Sequence, residues 1–209
     1  RADPRVREQQ VRAMVELMPQ AGPTLLMGDL NAPPSAPELQ PLLARLFIEA
    51  AGDPEWKGTT EYALFASYWE RLTSGLQTDH PQDAVMLREL ALETAKERVA
   101  YPWSAKALFG AGIDDDVRRR LERTGWLRRE ADAGASIWHD RLLNWAVAEA
   151  LVANVRNGTM TVDEFASSLV ECTPRFGHVR YGYVPMDALW LASAEGALST
   201  EDLARILLA

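Results

Sequence analysis

The sequence predicts a mainly α chain interrupted by a single short β-hairpin, and three observations predict it. Apolar residues recur at helical spacing through most of the 209 residues. Trp126–Glu130 and Ala135–Trp138 are candidate strands around the turn residues 131–134. The hairpin lies between two helical patterns, 113–125 before it and 140–155 after it, and helix, hairpin, helix is how a winged-helix unit ends. The expected architecture is a helical bundle over 1–80, a winged-helix domain over 81–156, and a helical extension over 157–209 that opens a helical-repeat array.

Composition bounds the function. The chain is 47% hydrophobic with a mean hydropathy of −0.19, so it has ample apolar material for a core without membrane-like character. Lys and Arg number 22 against 30 Asp and Glu, net −8, which disfavours nucleic-acid binding because phosphate neutralisation needs clustered cations. The one basic cluster, Arg118-Arg119-Arg120 with Arg123, Arg128 and Arg129, is interleaved with Asp114, Asp115, Asp116 and Glu122. It reads as a solvated, salt-bridged helix face. A lone Cys172 has no internal disulfide partner and no second thiol for a zinc site, which fits a reducing compartment. No signal peptide or membrane-length apolar run is visible. The first residue is Arg, so the expectation is a piece of a longer polypeptide.

In chain order, Val6 to Met18 is amphipathic and helical. Pro23 to Leu30 fits either a buried strand or a short helix. The prolines between Ala32 and Pro37 enforce a loop. Leu39 to Ala51 reads as helix with Pro41 in its first turn, Thr60 to Leu72 as an aromatic helix, and Asp83 to Val99 as a long one. The long helix shows Leu87, Leu90, Ala91, Thr94 and Ala95 on one side. Trp103 to Phe109 is a short helix before the Gly110–Gly112 break. Val117 and Leu121 belong to a helix stopped by Gly125. The helix after the hairpin carries Leu142, Leu143, Trp145, Ala146, Ala150 and Leu151, with Asp140 placed to cap it. Thr161 and Glu164 have capping-box spacing at the head of a helix reaching Val170, and Met186–Ala194 and Ser199–Leu208 form a closing helical pair.

Several of these segments, in this order, resemble the STAND class of signal-transduction NTPases, which includes the NACHT and NB-ARC proteins. Pro41-Leu42-Leu43-Ala44-Arg45-Leu46 is similar to the helix that follows their ATPase core. Leu64 to Glu70 is similar to the aromatic helix before their winged helix, and Asp83 to Ala95 to its first helix. Gly125-Trp126-Leu127 is similar to the segment entering the wing. His139-Asp140 with Leu142, Leu143 and Ala146 resembles the Met-His-Asp signature, with Trp138 in place of Met. The resemblance covers about residues 40–155. It implies a nucleotide-facing set of Pro41, His139 and Asp140, with His139 on the β-phosphate of ADP and Asp140 capping the helix and holding the loop. It further implies a non-catalytic transducing segment of a cytoplasmic protein. ADP or ATP with Mg would bind the intact ATPase and not this segment alone. The partners would be an upstream nucleotide-binding domain and a downstream helical sensor of the same polypeptide, with oligomerisation in the intact protein. No G-x-x-x-x-G-K-[ST] phosphate loop occurs in the chain itself.

A second motif points to an enzyme. Gly28-Asp29-Leu30-Asn31 followed by prolines resembles the metal-adjacent motif of the endonuclease/exonuclease/phosphatase superfamily, and Thr78-Asp79-His80-Pro81 its closing Ser-Asp-His-x-Pro. That resemblance implies a divalent-metal phosphohydrolase using Asp29, Asn31 and His80. It also implies a layered β-sandwich, whereas the residues between the motifs read as helices. Three other features read as structural: the aromatic, basic stretch Arg175–Tyr183 around His178, the core tryptophans Trp56, Trp103 and Trp190, and the carboxylates Glu93 and Glu97 as a solvated i,i+4 pair.

Overall fold

The computed structural model describes residues 61–73, 80–172 and 181–208. The readings over 6–51, the Gly28–Asn31 motif, Pro41, Trp56, Asp79 and His178 lie outside the described residues. Those from Phe65 onward belong to one compact unit; Glu61–Leu64 belong to another.

Eight helices and one two-stranded antiparallel sheet make up the described residues, so the chain is mainly helical as expected. In order they are α1 (Glu61–Thr73), α2 (Gln82–Ala95), α3 (Ala105–Gly110), α4 (Asp115–Arg123), β1 (Leu127–Arg129), β2 (Ala135–Ile137), α5 (Asp140–Arg156), α6 (Val162–Cys172), α7 (Val184–Ala194) and α8 (Thr200–Leu208).

Helix α5 is the axis of the unit. Every residue from Arg141 to Ala153 is buried, so the helix is enclosed on all sides and not merely on one stripe. Its largest contacts are with α2 on one side and α7 on another. Trp145 stacks on Phe65 of α1 at 5.5 Å between centroids and meets Trp190 of α7 at 6.0 Å. Helix α1 also reaches the far side of the core. Tyr68 stacks on Trp126 at 5.1 Å, Trp69 meets the same indole edge-on at 4.9 Å, and the Tyr68 hydroxyl donates to the Thr124 carbonyl at 2.6 Å.

Two boundaries near Trp103 differ from expectation. Helix α2 stops at Ala95 and not at Val99, because Glu97 turns into the left-handed region (φ 58°) and the Arg98 N–H returns to the Glu93 carbonyl at 2.9 Å. Glu97 is therefore off the helix and forms no i,i+4 pair with Glu93, which instead meets the Arg98 guanidinium at 3.1 Å. Trp103 is extended, not helical: its N–H and C=O exchange bonds of 2.9 Å each with Ala135 of β2. The indole N–H of Trp103 donates to Thr94 Oγ1 at 2.8 Å, and that hydroxyl in turn donates to the Leu90 carbonyl, so the buried threonine is satisfied. Helix α3 accordingly begins at Ala105, capped by Ser104.

The hairpin pairs Leu127 with Ile137, Arg128 with Ser136 and Arg129 with Ala135. Its turn places Asp132 and Ala133 at positive φ. Gly134 is required by a close approach, since a Cβ there would stand 2.6 Å from the Trp103 carbonyl oxygen. Beyond α5, the expected capping box closes α6: Glu164 Oε2 accepts from the Thr161 N–H at 2.7 Å, and Thr161 Oγ1 accepts from the Glu164 N–H at 3.2 Å. The Thr161 N–H and the Thr161 hydroxyl, both donating to Oε2, hold the Glu164 carboxyl below its ordinary value. None of the described helices is long and apolar enough to cross a membrane.

Candidate functional site

The residues singled out at the hairpin exit meet at the N-terminal mouth of α5. The strand β2 delivers Trp138, whose N–H donates to the Trp126 carbonyl at 2.9 Å and whose ring is 43% exposed. His139 follows in extended conformation and is the cap of the helix. Its Nδ1 accepts from the Arg141 N–H at 3.0 Å, and its carbonyl accepts from the Leu142 N–H at 2.9 Å. The cap expected from Asp140 thus falls one residue earlier. Asp140 is the first residue of α5, with an exposed side chain, and it acts on the helix through its charge near the N-terminus. An Nδ1 that accepts places the imidazole proton on Nε2, and Nε2 is buried.

Beneath this mouth lies a set of polar groups that periodicity does not single out. Arg141, 2% exposed, forms a two-pronged pair with Asp187 of α7, which is fully buried; Nη2 reaches Oδ1 at 2.7 Å and Nη1 bonds Oδ2. The guanidinium is sandwiched between the Phe65 ring at 4.5 Å and the Tyr183 ring at 4.6 Å. Asn144, also buried, donates from Nδ2 to the Asp140 carbonyl at 2.7 Å and accepts from the Tyr183 N–H at 3.0 Å. The available signal was an Arg, an Asn and a Glu inside an otherwise apolar run, since such residues are seldom buried without partners.

The Glu is Glu149, one face further along α5. Burial pushes its carboxyl up to about 8, Glu195 adds to the rise, and Trp145, Arg88 and Arg156 oppose it. Burial likewise pushes the Cys172 thiol up to about 11, so it is a poor nucleophile at neutral pH.

Two members of the basic cluster are committed to the fold. Arg118 is buried and donates to the Ala133 carbonyl of the hairpin turn at 2.8 Å, while also meeting Asp115 at 2.8 Å. Arg120 makes a two-pronged pair with the buried Asp83 of α2, at 2.6 and 2.9 Å, which raises its own pKa further. The solvated-face reading therefore holds for Arg119, Arg123, Arg128 and Arg129 and not for Arg118 or Arg120. Charged groups along α4 alternate in sign (exposed Asp116, Arg119 and Arg123, half-buried Glu122), with no continuous cationic stripe among them.

Of the phosphohydrolase residues only His80 is described. It is exposed, and its carbonyl accepts from the Asp83 N–H at 3.0 Å. Among the described residues no three His, Cys, Asp or Glu side chains gather as a metal site. The chain matches no protein-family model, no curated protein and no solved structure.

Proposed function

We propose that this chain is the non-catalytic transducing segment of a STAND-type NTPase, closing over ADP held by an upstream nucleotide-binding domain and passing nucleotide state to a C-terminal sensor. One observation carries the reading. The Trp103–Ala135 bridge adds a short extended segment beside β2, so the order from α2 is helix, strand, helix, helix, strand, strand, helix, with the first strand lying next to the last. That order matches the connectivity expected of a winged helix and supports the reading, with His139 two residues beyond the end of β2. The residues before 81 then serve as the preceding helical domain, and α6 to α8 as the first helices of a repeat array.

The donor chemistry fits a phosphate. With Nδ1 engaged as the cap acceptor, the His139 proton rests on the buried Nε2, which a phosphate would reach where nucleotide closure uncovers it, and the dipole of a seventeen-residue helix favours an anion at the same end. Asp140 adds negative charge there, so its part is to stabilise the first turn and not to touch the nucleotide. By the same resemblance Pro41 would join His139 and Asp140 in the nucleotide-facing set. The intact protein would sit in the cytoplasm and use Mg with ADP or ATP; the hinge-type change on nucleotide loss supplies the signal.

The test is ADP retention by the full polypeptide. Removing one hydrogen bond to a charged phosphate costs about 1.5–3 kcal/mol, so His139→Ala should release ADP at least ~10-fold faster. Release at the wild-type rate would reject the assignment.

A further inference from the structure

The first turn of α5 is held from outside itself, by the start of α7. Arg141 supplies both halves of the connection: its backbone N–H is the donor that His139 Nδ1 accepts, and its guanidinium is the group that Asp187 grips. The aromatic sandwich of Phe65 and Tyr183 leaves that guanidinium no second orientation without losing both ring faces. A parallel link runs from the Tyr183 N–H to Asn144 and from Asn144 to the Asp140 carbonyl. Every one of these groups except Tyr183, His139 and Asp140 is buried.

We infer that Asp187 is a positioning residue for His139, acting from the helical extension through Arg141, so that the seating of α7 sets the orientation and tautomer of the imidazole. When α7 stays docked, Arg141 is pinned, its N–H is presented to Nδ1, and the ring proton rests on Nε2. When α7 moves off, Asp187 and the Tyr183 link leave together. The buried guanidinium then loses the Asp187 carboxylate, and the Arg141 backbone that carries the cap donor loses its tie to α7. The extension would thereby act back on the nucleotide-facing end of α5. This consequence for nucleotide rests on the function proposed above; the coupling between Asp187 and the His139 ring does not.

The coupling can be read without nucleotide, by nitrogen NMR of the imidazoles in the 209-residue chain, which has only three histidines to assign. In the wild type, His139 should show separated Nδ1 and Nε2 signals of a single neutral tautomer. In Asp187→Asn the two signals should move together as the tautomers mix, and Asp187→Glu should restore much of the separation. Because Asp187→Asn leaves Arg141 short of a charge partner, the Arg141→Met/Asp187→Leu double variant serves as the second probe, since replacing a buried pair by apolar groups often preserves the fold. It should show the same mixing with unchanged circular dichroism. Wild-type His139 signals in either folded variant would overturn the inference. So would failure of both variants to fold, because Asp187 would then serve the fold and not the ring. In the full polypeptide, faster ADP release in His139→Ala but not in folded Asp187→Asn would also overturn it. Unchanged release in His139→Ala would remove the proposed function and leave the ring coupling standing.

Discussion

Glu149 is a buried acid in the middle of the central helix, and it should make the protein less stable as pH rises through neutrality. Its carboxyl ionises at an ordinary 4.5 in the unfolded chain and at about 8 in the folded one, chiefly because burial penalises the charge. Below pH 4.5 both states are protonated and no penalty exists. Between 4.5 and about 8 the native state holds a proton that the unfolded state has lost, so stability falls as pH climbs; above about 8 the loss is complete. Each pH unit in that window is worth ~1.4 kcal/mol, which gives about 3 kcal/mol by pH 7 and about 5 kcal/mol over the whole window. Glu149→Gln removes the titration while keeping the side chain's size. Urea unfolding of wild type and variant at pH 5, 6, 7 and 8.5 isolates this group, because the remaining titrations cancel in the difference. The variant should gain on wild type with each step, ending several kcal/mol more stable. A stability difference that stays flat from pH 5 to 8.5 would refute the argument that desolvation governs this carboxyl.

Two further substitutions probe the wing and its support. Gly134→Ala drives a Cβ to within 2.6 Å of the Trp103 carbonyl oxygen, a backbone atom that can yield only by opening the Trp103–Ala135 bridge; about 1–3 kcal/mol of stability should go, with faster amide exchange at Trp103 and Ala135 in hydrogen-exchange NMR. Asp83→Ala strips Arg120 of both its bonds while that side chain remains only 20% exposed, and should lower the urea-derived stability by about 1–3 kcal/mol; a change under ~0.5 kcal/mol would mean that water replaces the carboxylate without cost.

How far the sequence could be read depended on whether the signal was local. The capping box of Thr161 and Glu164 and the hairpin between 126 and 138 both follow from residues a few positions apart, and they appear where local chemistry puts them. The helix at the hairpin exit was legible for the same reason, though His139 displaced Asp140 as its cap. An imidazole whose Nδ1 accepts can fill the cap position, and extended backbone at His139 settled which of the two neighbours stood outside the first turn. Trp103 was misjudged because a short apolar run has no period long enough to separate strand from helix. Its extended form is imposed by Ala135, across the hairpin, together with the Thr94 hydroxyl.

The sequence by itself determined that the described chain is mainly helical, where most of those helices start and stop, and where the one hairpin falls, because propensity, caps and turns act over a few residues. Only the tertiary structure decided that Arg141 meets Asp187, that Arg120 meets Asp83, and that Glu149 is deprived of water. Those pairings join residues on different helices, and a charged side chain in a sequence carries no mark of the partner, or the burial, that packing will give it.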